Sequence, residues 1–123
     1  GFKRIAVTVI GLNAGDIPEI RRIEGKHRDV KIAVFSTCNT LVAESDIPHL
    51  KMADIVCASA SKLVREKIGP MALMQMGVSI PVFVLTEFGK KLALTYLMKM
   101  RCSFVAFRAK MPYIVDEKQP VLG

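Results

Sequence analysis

Residues 5–10, 31–36, 54–58 and 80–85 form short runs rich in Val, Ile and Ala, and the segments between them carry helical patterns. Each run is continuous rather than alternating, which is how strands covered on both faces read in a parallel sheet. Strand and helix in alternation, joined by right-handed crossovers, put helices on both faces of a twisted sheet. The predicted class is therefore α/β: an open, mostly parallel, Rossmann-like sheet of four main βα units. A 123-residue chain suffices for one such core. Residues 1–102 are read as that domain and residues 103–123 as an irregular extension. The extension has one strand-like run at 103–108, and it is expected to pack on the domain or on a neighbour.

Local signals place the helices. Asp16 and Glu19 have capping-box spacing ahead of Ile17, Ile20 and Ile23, which predicts a first helix from Asp16 that weakens at Gly25. A short second helix is expected over 46–52. The third starts after Ser61 and must divide at Gly69 and Pro70, because a proline ring at 70 meets the carbonyl of Glu66 in a continuous helix. A second helical piece is expected to open at Pro70, with Met71, Met74 and Met76 at packing spacing. The fourth helix, 87 to about 100, is apolar on more than one face and needs a cover. Open α/β domains usually hold more than four strands, which suggests a fragment of a longer protein.

Several function classes lose support. The apolar stretch from 70 to 85 is interrupted by Gln75, Gly77, Ser79 and Pro81, so it is no membrane-spanning helix. The opening run is short and β-branched, a strand rather than an export signal, and the cytoplasm is the default location. Cys38, Cys57 and Cys102 are odd in number and widely spaced, neither a disulfide framework nor a metal site. The net charge of +7 suits a polyanion, yet the basic residues are scattered. Their tightest cluster, Arg21, Arg22, Lys26 and Arg28, lies along one helix without interleaved aromatics, the pattern of a solvated face rather than a nucleic-acid binder. Gly11 and Gly15 do not complete a dinucleotide fingerprint, the second strand ends in Ser36 and Thr37 instead of a ribose-binding acid, and no P-loop is present. No cofactor is named by the sequence.

In open parallel sheets ligands bind beyond the carboxyl ends of the strands. The loops expected there supply Asn13, then Thr37, Cys38, Asn39 and Thr40, then Ser59, Ser61 and Lys62, then Thr86. Ser61 suits the cap of the next helix, and with Lys62 it favours an anion; a capping serine beside a surface lysine is the plainer alternative. Cys38 in its polar loop is a candidate nucleophile with no histidine placed as its base. Cys57 reads as a small core residue. The leading expectation is a domain binding a small anionic ligand at this edge; the rival is a non-catalytic assembly domain, a homo-oligomer or one docking a partner protein.

The strings Ala53-Asp54-Ile55-Val56, Ala58-Ser59-Ala60-Ser61-Lys62, Val64-Arg65-Glu66, Ala72-Leu73, Ile80-Pro81-Val82-Phe83 and Leu85-Thr86-Glu87, with Gly89-Lys90, resemble the methanogenesis marker protein eight family. The opening nine residues are also similar, and the likeness covers roughly the first hundred. It implies a cytoplasmic archaeal protein with a role in methanogenesis or its cofactors, of which this chain is the C-terminal domain. Ser59, Ser61 and Lys62 match the family pattern, whereas 36–39 departs from it. The family brings no catalytic assignment.

Overall fold

A computed structural model describes residues 1–115. Five strands form one open sheet: β1 (Arg4–Ile10), β2 (Lys31–Thr37), β3 (Ile55–Cys57), β4 (Met74–Met76) and β5 (Val82–Val84), in the spatial order β1-β2-β3-β5-β4. The first three run parallel, with Val7 beside Val34 and Ser36 beside Val56. Four α-helices accompany them: α1 (Asp16–Lys26), α2 (Ile47–Leu50), α3 (Lys62–Lys67) and α4 (Glu87–Lys99).

The α/β class and the alternation through β3 follow the expectation; the second half of the sheet does not. Gly69 and Pro70 end α3 as predicted, but only one 3-10 turn, Gly69–Met71, follows, and the chain then enters β4. Met74 and Met76 are thus strand residues, not helix packing. A hairpin turns through Gly77, whose φ of +79° suits glycine, and returns β5 antiparallel into the gap between β3 and β4. The fourth expected strand is therefore present and reversed. Nothing in the 80–85 run distinguishes the two directions, since a buried strand reads alike either way.

Alternate strand residues divide the core. Val9, Ile32, Val34, Val56 and Phe83 pack with Ile17, Leu50, Val64 and Ile68 of the helical layer on one face. On the other face, Ile55 and Val84 pack with Ala93 of α4, joined by Phe35, Met74, Met76 and Val82. Each large side chain buried in this way contributes about 1.5–3 kcal/mol. Helices thus lie on both faces, but unequally. α4 covers β3 and β5, and β1 keeps a largely exposed outer face, so the expectation of a first strand buried on both sides is corrected.

Two caps differ from the simplest reading. Asp16 makes no side-chain cap for α1; Gly15 occupies the cap position, and Glu19 pairs with Arg22 instead. Thr86 caps α4, accepting from the Gly89 N–H at 3.0 Å. Residues 101–115 form a strap without helix or strand, so the strand-like run at 103–108 pairs with nothing described. The Gln75 side chain ties the strap down, donating to the Tyr113 carbonyl and accepting from its N–H, both at 2.9 Å. The rest of the expected extension, 116–123, lies outside the described residues.

Candidate functional site at the carboxyl edge

β1, β2 and β3 end on one edge of the sheet, and their loops close around a cavity of about 560 Å³ lined by Leu12, Thr37, Cys38, Thr40, Leu41, Val42, Cys57 and Ser59. Its floor is a hydrogen-bonded clip. Asn39, fully buried, donates from Nδ2 to the Cys57 carbonyl at 2.8 Å, accepts from Ser36 Oγ at 3.1 Å, and gives its backbone N–H to Ser59 Oγ at 3.0 Å. Thr40 Oγ1 accepts from the Ala60 N–H at 3.3 Å, a second link between the loops after β2 and β3. Gly11 lets the end of β1 close in: a Cβ there would lie 2.6 Å from Val42 Cγ1 and 2.9 Å from the Cys38 carbonyl.

Two lining residues carry unusual backbone. Cys38 has φ +55° and Ser59 φ +52°, the left-handed region that non-glycine residues seldom adopt. They occupy adjacent loops and face the same cavity. Such conformations cost on the order of 1–3 kcal/mol each and persist where the surroundings enforce them.

Three of the ligand candidates, Thr37, Thr40 and Ser59, line this volume together with Cys38. Asn13 is exposed in the 3-10 turn Gly11–Asn13, beside the cavity but outside its lining. Asn39 lies beneath it with its side chain spent on the clip. Ser61 is buried and caps α3, accepting from the Val64 N–H at 3.1 Å. Lys62 is exposed and reaches along α3 to Glu66, 3.6 Å away. Thr86 is not brought to this edge. Because β5 runs backwards, its end falls at the opposite edge, where Thr86 Oγ1 donates to Asp54 Oδ1 at 2.7 Å.

Cys57, read as core, is half-buried and lines the cavity. The signal for it was positional: it ends β3, one residue after the Ser36–Val56 pairing, level with Thr37. Leu12 and Leu41, which are exposed, and Val42, which is half-buried, carried no sequence signal, since single aliphatic loop residues are common.

The densest polar cluster lies at the other edge. Asp54, 2% exposed, accepts through Oδ2 from Arg21 at 2.8 Å and from the Val34 N–H at 2.8 Å. Arg21 also donates to the Met52 and Ile32 carbonyls and to Glu24, and Glu24 Oε2 accepts from the Ile32 N–H at 2.6 Å. Arg21 therefore leaves the solvated basic face to which its spacing assigned it. Glu19, on the exposed side of α1, is held below the usual carboxylate range by its hydrogen bond from Arg22 and takes no part in either cluster's hydrogen bonds. Among the described residues no group of three or more His, Cys, Asp or Glu side chains could hold a metal ion. No helix among them is long and apolar enough to cross a membrane.

No solved structure matches this chain. It is 37% identical over 93 residues to "Uncharacterized protein MJ0054" of Methanocaldococcus jannaschii; the match takes in 76% of this chain and 31% of that relative. The chain thus spans about a third of the relative's length. Over residues 1–98, which include every strand and nearly all of α4, it matches the model of an archaeal family described as "Uncharacterized protein conserved in archaea", and it belongs to that family, DUF2099.

Proposed function

We propose that this chain binds a small anionic molecule at the carboxyl edge of β1, β2 and β3. The observation that carries this reading is the pair of left-handed residues, Cys38 and Ser59, on the wall of one cavity. Left-handed non-glycine residues cluster at ligand sites, and two of them in adjacent loops on one cavity wall support that reading. The Thr37, Thr40 and Ser59 hydroxyls orient the bound molecule. Lys62, which does not line the cavity in this structure, supplies the charge, and the neutral Asn13 amide adds a hydrogen-bonding group. The present partner of Lys62, Glu66, forms an exposed pair at 3.6 Å, and such pairs are worth little, so the ammonium turns to a stronger anion at small cost. The resemblance to the methanogenesis marker protein eight family, and a relative from Methanocaldococcus jannaschii, support a cytoplasmic ligand drawn from the metabolism of a methane-forming archaeon.

Native mass spectrometry after incubation with an extract of methanogen metabolites tests this. A discrete anionic adduct is expected on the wild type and is expected to be lost from Thr37→Val and Lys62→Ala at unchanged melting temperature. Adducts that survive Lys62→Ala remove the lysine from the site, and a wild type that retains nothing removes the ligand reading. The assembly reading draws on a different surface: Tyr96 and Met98 on α4 are 62% and 85% exposed. Light scattering that shows a strict monomer with no co-purifying protein counts against it.

A further inference from the structure

The two edges of the sheet are treated differently. β4 is three residues long, and the strap lies beside it, fastened to Gln75. β1 is seven residues long, contains no proline, and among the described residues pairs with β2 alone. A long open edge is a template for another strand.

Which groups are open follows from the register. Lys31 N–H donates to the Lys3 carbonyl at 2.8 Å, and Arg4 stands opposite Lys31. In a parallel ladder this turns the backbone groups of Lys3, Ile5, Val7 and Val9 toward β2. Those of Arg4, Ala6, Thr8 and Ile10 point outward.

We propose that β1 is a dimerisation strand, pairing antiparallel with β1 of a second copy about a twofold axis at Val7, so that two five-stranded sheets become one. In that register Ala6 faces Thr8 and Arg4 faces Ile10, and all the outward residues form hydrogen-bonded pairs. The charges agree with it. Lys3 and Arg4 of each copy meet the 10–16 end of the other, whose single charged residue is the exposed Asp16, so no like charges are opposed. The same register brings Phe2 and Leu12, 88% and 80% exposed, to opposing ends of the pair, where each finds an apolar neighbour on the other copy.

The proposal rests on the register and exposure of β1 and not on the ligand reading, although Leu12, at the end of the pair, also lines the cavity. It is tested by sedimentation of the chain over a hundredfold range of concentration, wild type against Thr8→Pro. Thr8 lends no backbone group to β2, and proline is tolerated on an edge strand whose N–H faces outward, so the fold survives while the pairing is lost. The expected result is a dimer for the wild type and a monomer for Thr8→Pro. Thr8→Lys, which places two added charges at the joint, is expected to give the same loss if the proline variant does not fold. Hydrogen exchange at Ala6 and Thr8 is expected to slow as the wild type is concentrated. A wild type that stays monomeric overturns the proposal, as does a dimer that survives both Thr8 variants, whether or not it dissociates with Met98→Lys on α4.

Discussion

At the amino end of β3, Asp54, Arg21, Glu24 and Thr86 satisfy one another and the backbone around them. At the carboxyl end, Thr37, Cys38, Cys57 and Ser59 face an open cavity across loops held in uncommon conformations. The first cluster is richer in charge and looks more like a reactive centre by composition. Its geometry argues the reverse. Its buried carboxylate accepts from an arginine, a hydroxyl and a peptide N–H, which joins α1, β2, β3 and the start of α4 and spends its oxygens on the fold. Charge density marks a fastening here, and open volume beside strained backbone marks the candidate site.

The contrast is sharpened most by Asp54→Ala, which strips an acceptor from Arg21, Val34 and Thr86 together. Removing one partner of a buried ion pair costs about 3–5 kcal/mol, a large share of the stability of a domain this size. Urea denaturation should show that loss; a cost below about 1 kcal/mol would mean the cluster is not what holds the amino edge together. Asn39→Ala comes next. It breaks the neutral clip under the cavity, leaves the Cys57 carbonyl without its amide donor, and is expected to cost about 1–3 kcal/mol. It is also expected to loosen 37–42, read as faster hydrogen exchange there, while the Asp54 edge keeps its protection. Equal loosening at both edges would merge the regions that the structure separates. Ser61→Ala removes only the cap of α3, about 1 kcal/mol, again by denaturation.

The parallel half was legible because its signals are local. Buried runs, the Ser61 cap and the break at Gly69 and Pro70 each act within a few residues. The reversal of β5 was not legible, because strand direction depends on a hairpin that the glycine-proline break made available, and the short β4 resembled helical methionine spacing. That one reversal moved Thr86 from the candidate site to the Asp54 cluster. Asp54 was hidden for a related reason: its partners come from α1 and α4, 33 and 32 residues away, and no spacing rule spans such distances. Within the candidate site, the hydroxyl residues of the two loops were readable, whereas the left-handed backbone of Cys38 and Ser59 has no sequence mark. Asn39 shows the limit most clearly, since an amide in a loop looks the same whether it faces a ligand or, as here, fastens two strands.

The smallest effect distinguishes the two edges by its sign. A residue that holds a fold together loses stability when replaced, but Cys38 pays for a backbone angle that glycine adopts without strain. Relief of a left-handed residue is worth on the order of 1 kcal/mol or more, and the added freedom of glycine in the unfolded chain takes back about 0.5–1 kcal/mol. Cys38→Gly should therefore leave the melting temperature unchanged or slightly raised, while Thr37→Gly, at the end of β2, lowers it by the ordinary glycine cost. If the cavity serves a ligand, the same Cys38→Gly chain should bind it more weakly, because the wall no longer holds one shape. A fall in melting temperature equal to that of Thr37→Gly would show that the thiol contributes packing of its own, and Cys38 would then belong with Asp54 among the residues that keep the fold.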